Sequence, residues 1–220
     1  MTTGNREDYL INILRLTEGE GVVKTTELSS YMNISPASVS EMLKVLSKEG
    51  LVEYEKYKGV SLTENGLRQA KNLRRKHHIV ERFLVDVLDM DHNSAHNEAC
   101  AFEHSMSNDS ANKMCRMIGA KVDSDCETCS DPCNGMTDSA DSTFTISDMK
   151  VGDFGVISHL ICEEPDRMRK LISMGFVPGR EVTIDSKVSS KGPWIVRIGN
   201  SIIALDKGLS SLVFVDVGRK

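Results

Sequence analysis

The sequence predicts a multidomain α+β chain: a winged helix-turn-helix, then a helical middle segment, then a small C-terminal β-barrel. Three observations predict it. Residues 6–75 carry apolar positions at helical spacing, followed by two short alternating runs around a tight turn. Residues 64–120 show helical patterns only. Residues 144–217 break into five short β-runs interrupted by one short helical stretch, the pattern of a small barrel. Between the last two lies 121–143, rich in Cys, Asp, Ser, Thr and Gly, which has the composition of a linker. The predicted domains are 1–75, 76–143 and 144–220.

The elements follow in order. Tyr9, Leu10, Ile13 and Leu14 make the apolar stripe of a first helix. Thr26 opens a short second helix with Leu28, Tyr31 and Met32 on one face. Ser35-Pro36 opens a third, because Ser at N-cap and Pro at the first helical position suit the unpaired N–H groups there. Its core face is Val39, Met42, Leu43 and Leu46, and Gly50 ends it. The runs 51–55 and 60–63 bracket Lys56-Tyr57-Lys58-Gly59 as a hairpin. Glu64 to Val87 reads as one long helix, and His92 to Ile118 as one or two more. Strands are expected at 154–160, 181–184, 194–198, 201–205 and 212–217, with a helix near 167–174.

Charge qualifies the functional reading. The net charge of -5 sits poorly with DNA binding, which favours basic domains. The acidity is local, however: residues 86–148 hold 13 Asp and Glu against 3 Lys and Arg, whereas 1–75 are nearly balanced. No apolar run approaches the ~18–20 residues that cross a bilayer. The polar stretch Met1 to Tyr9 carries no signal core, so a cytoplasmic location is expected. With no such signal, the six cysteines are expected to be thiols or metal ligands rather than disulfides.

Two helices, a tight turn and a hairpin match a DNA reader. The second helix of such a pair enters the major groove with its N-terminal residues at base edges. Here those are Ser35, Pro36, Ala37, Ser38, Ser40 and Glu41, small or polar enough for close backbone approach. Lys44 and the wing residues Lys56 and Lys58 can reach phosphates. The same pattern also describes a helical bundle whose hairpin serves protein contacts.

His96, Cys100, Glu103 and His104 fall at i, i+4, i+7 and i+8 of a helix, hence on one stripe. Buried together, such groups are costly unless a metal ion neutralises them. His77 and Glu81 form a second i, i+4 pair on the preceding helix. Mixed N, O and S donors suit a first-row transition metal rather than Ca(II) or Mg(II). His78 and His92 lack such company and read as packing or solvent-facing. Cys126, Cys129 and Cys133, with Cys115 as a fourth, have partial chelate spacing, open to a structural metal or to incidental thiols in a linker. Cys162 reads as a small buried hydrophobe.

The stretches Arg75-Lys-His77-His-Ile-Val-Glu81-Arg and His96-Asn-Glu-Ala-Cys100-Ala-Phe-Glu103-His104, in this order after a helix-turn-helix, resemble the diphtheria toxin repressor family of iron- and manganese-dependent regulators. The resemblance spans nearly the whole chain. It implies a regulatory site of Asp8, Cys100, Glu103 and His104, and an ancillary site of His77, Glu81 and His96 helped by Glu164. Where the family supplies a second, amide helper, this chain has Arg167. Iron-type members carry Met where Asp8 stands, and manganese-type members carry Glu where Cys100 stands, so the two positions point to different ions. Residues 170–182, Lys-Leu-Ile-Ser-Met-Gly-Phe-Val-Pro-Gly-Arg-Glu-Val, look like the ferrous iron transport A domain, an SH3-like β-barrel.

The expected function is therefore a metal-dependent repressor. It binds double-stranded operator DNA as a homodimer, without a membrane, when loaded with Fe(II); Mn(II) is the alternative, and Zn(II), Co(II) or Ni(II) are surrogates. Phe83, Leu84, Val87 and Leu88 are candidates for the dimer contact. Two rival classes are a metal-storage or delivery protein, in which a wing and recognition helix are superfluous, and a metalloenzyme, for which no further base or nucleophile accompanies the stripe.

Overall fold

The computed structural model describes residues 3–118, 144–162, 164–189 and 192–217. Cys126, Cys129 and Cys133 lie outside the described residues. The chain divides into two compact units, Met1–His77 with Cys100–Met106, and His78–Ala99 with Ser107–Lys220.

In the first unit α1 (Thr3–Thr17), α2 (Thr25–Met32) and α3 (Pro36–Lys48) precede a hairpin of β1 (Val52–Glu55) and β2 (Gly59–Leu62), after which α4 (Glu64–Asp86) begins. Leu10, Ile13 and Leu14 of α1 pack into one core with Leu28, Val39, Leu43, Leu46 and Val60. Helix α3 starts and stops as its sequence dictates. Ser35 accepts the N–H of Ser38 at 3.2 Å with Pro36 at the first position. At the other end Gly50 adopts φ +70°. The N–H of Leu51 reaches the carbonyl of Leu46 at 3.0 Å and that of Gly50 reaches Ser47 at 3.1 Å, a Schellman closure. Val23 exchanges two 2.9 Å backbone bonds with Val60, adding a bridge beside the wing.

The face predicted for α2 is corrected in one respect. Tyr31 is exposed, and Ser29 is buried in its place. Ser29 tolerates burial because its hydroxyl donates to the carbonyl of Ile34 at 2.7 Å.

The second unit holds the rest of α4, most of α5 (His92–Phe102) and α6 (Asn108–Ile118). A five-stranded sheet follows: β3 (Phe154–Leu160), β4 (Glu181–Lys187), β5 (Trp194–Ile198), β6 (Ser201–Leu205) and β7 (Val213–Val217), with α7 (Pro165–Ser173) and the short α8 (Lys207–Ser210) between strands. Helix α7 starts two residues before the expected 167, because Pro165 takes its first position. The strand order is β6-β5-β4-β3-β7 and every pairing is antiparallel. The expected barrel is thus an antiparallel sheet in which, among the described residues, the end strands β6 and β7 are not paired with each other. Register shifts between Ile157 and His159 and between Ile184 and Ser186 bend it. Phe176, Leu160, Leu171, Val196 and Val215 fill its core, with Cys162 buried among them as expected. No described helix is long and apolar enough to cross a membrane.

Candidate metal centre

Three helices of the first unit bring the predicted ligands together. Glu7 and Asp8 sit on α1, His77 on α4 and Cys100 on the last turn of α5. The predicted helical stripe stops short: α5 ends at Phe102, whose carbonyl accepts the N–H groups of Ser105 and Met106 at 3.1 and 3.0 Å. Glu103 and His104 therefore project from the closing turn.

Glu103 is the centre of the group. Its side chain is 4% exposed. One carboxylate oxygen lies 2.7 Å from His77 Nδ1 and the other 3.4 Å from His104 Nε2. The Cys100 Sγ lies 3.8 Å from the same His77 nitrogen. Asp8 Oδ1 lies 2.9 Å from His104 Nε2, and Glu7 Oε2 lies 2.7 Å from His104 Nδ1. Burial raises the Asp8 carboxyl above its ordinary range. The nearby His104 opposes that shift, and the Glu103 and Glu7 charges add to it.

The resemblance put His77 with Glu81 and His96; within the first unit its ring also faces Glu103 and Cys100. Spacing along a helix identifies neighbours on that helix only; the approach of α1, α4 and α5 decides the rest.

In the second unit Glu81 Oε2 and His96 Nδ1 are 3.6 Å apart and partly exposed. Glu164 holds Arg167 Nε at 2.9 Å in an exposed one-turn pair. His78 is half-buried and His92 is exposed.

The donor set fits a divalent cation. Glu103 is buried, and among the described residues its carboxylate meets imidazoles and no Lys or Arg. A buried carboxylate needs a compensating positive charge. Three carboxylates around two imidazoles and a thiol offer that place to a cation with N, O and S affinity.

The residues expected to read DNA are also in this unit. Ser35, Pro36, Ala37, Ser38, Glu41 and Lys44 are exposed, and Ser40 is half-buried with its hydroxyl donated to the Pro36 carbonyl at 2.8 Å. Lys44 pairs with Glu41 at 2.8 Å, which holds that carboxyl below its usual range. In the wing Lys58 pairs with Glu55 at 2.6 Å, and Lys56 lies 5.0 Å from the centre of the Tyr57 ring. These are exposed one-turn or local contacts, weak enough for phosphates to displace.

Two residues with a place in this geometry carry no sequence signal. Glu7 precedes Asp8 and so lies off its stripe. Arg6 pairs with Glu49 at 2.6 Å, tying α1 to the end of α3.

Comparison with known proteins gives matches along most of the chain. Residues 1–60 match the iron dependent repressor N-terminal DNA-binding domain and 63–131 the iron dependent repressor metal-binding and dimerisation domain. Residues 144–217 match the FeoA domain. An uncharacterised helix-turn-helix-type transcriptional regulator of Methanocaldococcus jannaschii is 43% identical over 104 residues, covering 47% of this chain and 83% of that protein. The transcriptional regulator MntR of Bacillus subtilis is 33% identical over 107 residues, covering 49% of this chain and 75% of that protein. A solved manganese-dependent transcriptional repressor in complex with manganese is 24% identical over 96% of this chain and 99% of that one, with a TM-score of 0.49. This chain belongs to the diphtheria toxin repressor family, whose members are metal-dependent transcriptional repressors and not enzymes.

Proposed function

We propose that this protein represses transcription by binding double-stranded operator DNA as a homodimer when Asp8, His77, Cys100, Glu103 and His104 hold a divalent ion. The observation that carries the reading is Glu103, buried between two imidazoles with no Lys or Arg partner among the described residues. The Cys100 thiolate favours Fe(II), the ion we place first. Asp8 and the kinship with MntR support Mn(II) as the second reading. Glu81 and His96 form a second, more exposed group, and Glu164 joins it only after leaving Arg167.

The bound ion supplies positive charge among the carboxylates. The residues do the coupling. Asp8 lies on α1, whose Leu10, Ile13 and Leu14 sit in the core of the DNA-reading unit. Fixing Asp8 against His104 and Glu103 favours one placement of α1. A ligand that prefers one arrangement shifts the population toward it, with couplings of typically ~1–3 kcal/mol. Ser35, Pro36, Ala37, Ser38, Ser40 and Glu41 then face base edges, while Lys44, Lys56 and Lys58 face phosphates. A two-fold dimer, joined through Phe83, Leu84, Val87 and Leu88, presents two such helices about 34–36 Å apart. The segments 1–75, 76–143 and 144–220 serve as reader, metal-binding dimeriser and SH3-like barrel of a cytoplasmic protein.

The test is anaerobic binding to DNA selected from a random-sequence pool, titrated separately with Fe(II) and Mn(II). Binding that rises with one ion and is lost in Asp8→Ala is expected. Metal-independent binding, or an Asp8→Ala variant that responds like the wild type, overturns the reading.

A further inference from the structure

We propose that Glu7 is a positioning residue for the metal centre: it holds the Nδ1 edge of His104, so that Nε2 is the nitrogen offered to the ion. The inference rests on the ligand reading above and assigns a role to a residue outside that ligand set.

Three carboxylates surround the His104 ring, and they divide between its edges. Asp8 Oδ1 and Glu103 Oε1 converge on Nε2 at 2.9 and 3.4 Å. Among the described residues, Glu7 Oε2 is the carboxylate oxygen that faces Nδ1, at 2.7 Å. One ion cannot bind both nitrogens of one imidazole, so a site sharing Asp8, Glu103 and His104 must use Nε2. That leaves Nδ1 to carry the proton of the neutral ring and donate it to Glu7. Such an outer carboxylate fixes the tautomer and ring angle of a ligating histidine and raises its basicity.

The surroundings of Glu7 suit this role. Its side chain is 38% exposed, against 4% for Glu103. It borders a crevice of about 80 Å³ shared with Leu10, Gln69, Asn72, Leu73 and Lys76. The outer side of the carboxylate is open to solvent, so its charge needs no metal. Adjacent helical residues diverge by about 100° around the axis. Glu7 and Asp8 can still grip one ring because the longer Glu side chain passes to its far edge.

The test combines tautomer and affinity. Nitrogen-edited NMR of the full chain loaded with diamagnetic Zn(II) should show His104 protonated at Nδ1. In calorimetric titration with Mn(II), Glu7→Ala should bind about 10–100-fold more weakly. Glu7→Gln keeps an oxygen that accepts from Nδ1 and should stay near wild type. The inference is overturned if Glu7→Ala binds Mn(II) like wild type while His104→Ala does not, or if His104 carries its proton on Nε2. It is also overturned if Glu7→Gln is as weak as Glu7→Ala, since the charge of Glu7 would then itself draw the ion. If His104→Ala also binds like wild type, the ligand reading fails, and this inference with it.

Discussion

Replacing Glu103 by Gln separates its charge from its shape. The side chain is buried between His77 at 2.7 Å and His104 at 3.4 Å. Gln has nearly the same volume, and its amide oxygen can accept from one imidazole. Packing is thereby kept. Burial is the main cause of the raised Asp8 carboxyl and the Glu103 charge adds to it, so removing that charge relieves part of the repulsion and the metal-free protein should lose little stability. The metal-loaded protein loses much. An ion present at 100 times its dissociation constant stabilises the native state by about 2.7 kcal/mol. If Gln weakens binding about 100-fold, the same ion concentration contributes only about 0.4 kcal/mol. For a chain of this length 1 kcal/mol moves Tm by roughly 2–4 °C. The metal-induced rise in Tm should therefore shrink by roughly 5–9 °C, the difference of about 2.3 kcal/mol being scaled by that factor. Circular dichroism melts with Mn(II) and with a chelator read both values. An undiminished metal-induced rise in Glu103→Gln refutes the argument that this carboxylate serves the ion. A large fall in the chelated Tm refutes the argument that its charge is a burden without one.

Other perturbations test separate parts of the molecule. A Cβ on Gly66 would collide with the backbone carbonyl oxygen of Leu51, so Gly66→Ala should destabilise by about 1–3 kcal/mol or more, read as a lower urea midpoint; an unchanged midpoint would show that the wing base yields freely. Ser35→Ala removes the cap of the recognition helix and should cost about 1 kcal/mol, with Ser35→Asp recovering most of it. Burial depresses the pKa of His159 below its ordinary 6.5, with Asp216 opposing. Below about that pH the unfolded chain takes up a proton that the folded one resists, so stability rises with pH through this window and falls as the solution is acidified. Urea midpoints of wild type and His159→Gln should diverge there, and parallel curves would dismiss the effect. If Lys56 and Lys58 each meet a phosphate, replacing either by Ala should reduce the slope of log affinity against log salt by about 0.9.

Much of the fold could be read from local chemistry. Helix α3 carries its own start in Ser35-Pro36 and its own stop in Gly50, and both operate as written. Tyr31 misled because its size and position on α2 outweighed a serine two residues earlier, and only the Ile34 carbonyl makes burial of that serine tolerable. Sheet closure was not legible, because it depends on how the end strands meet and not on any one strand. At the candidate site, Cys100, Glu103 and His104 were marked by donor type and spacing, and Asp8 by the family resemblance. Two features escaped. His77 lies on the same helix stripe as Glu81, and the additional approach of its ring to Glu103 comes from how two helices meet, which is invisible to periodicity. Glu7 lies off the Asp8 stripe, and only the two-sided geometry of an imidazole gives it a partner.

The first turns of α1 concentrate the connections within the DNA-reading unit. Arg6 reaches Glu49, at the C-terminal cap of the recognition helix. Glu7 and Asp8 reach opposite edges of His104. Tyr9 and Leu10 are each 2% exposed in the core. Five consecutive residues thus touch the end of α3, the proposed ligand His104 and the hydrophobic core. A close-packed core transmits a small displacement instead of absorbing it. The outer pair, Arg6 and Glu49, is partly exposed and worth little in stability. Its relevance is directional: it joins the segment that ligates to the end of α3 remote from the base-reading residues. Arg6→Ala should therefore leave Mn(II) affinity and Tm nearly unchanged while reducing the metal-induced gain in DNA binding. Calorimetry and fluorescence anisotropy on the same preparation measure the two quantities. If both fall together, Arg6 acts on the metal centre itself; if neither moves, the core alone carries the coupling.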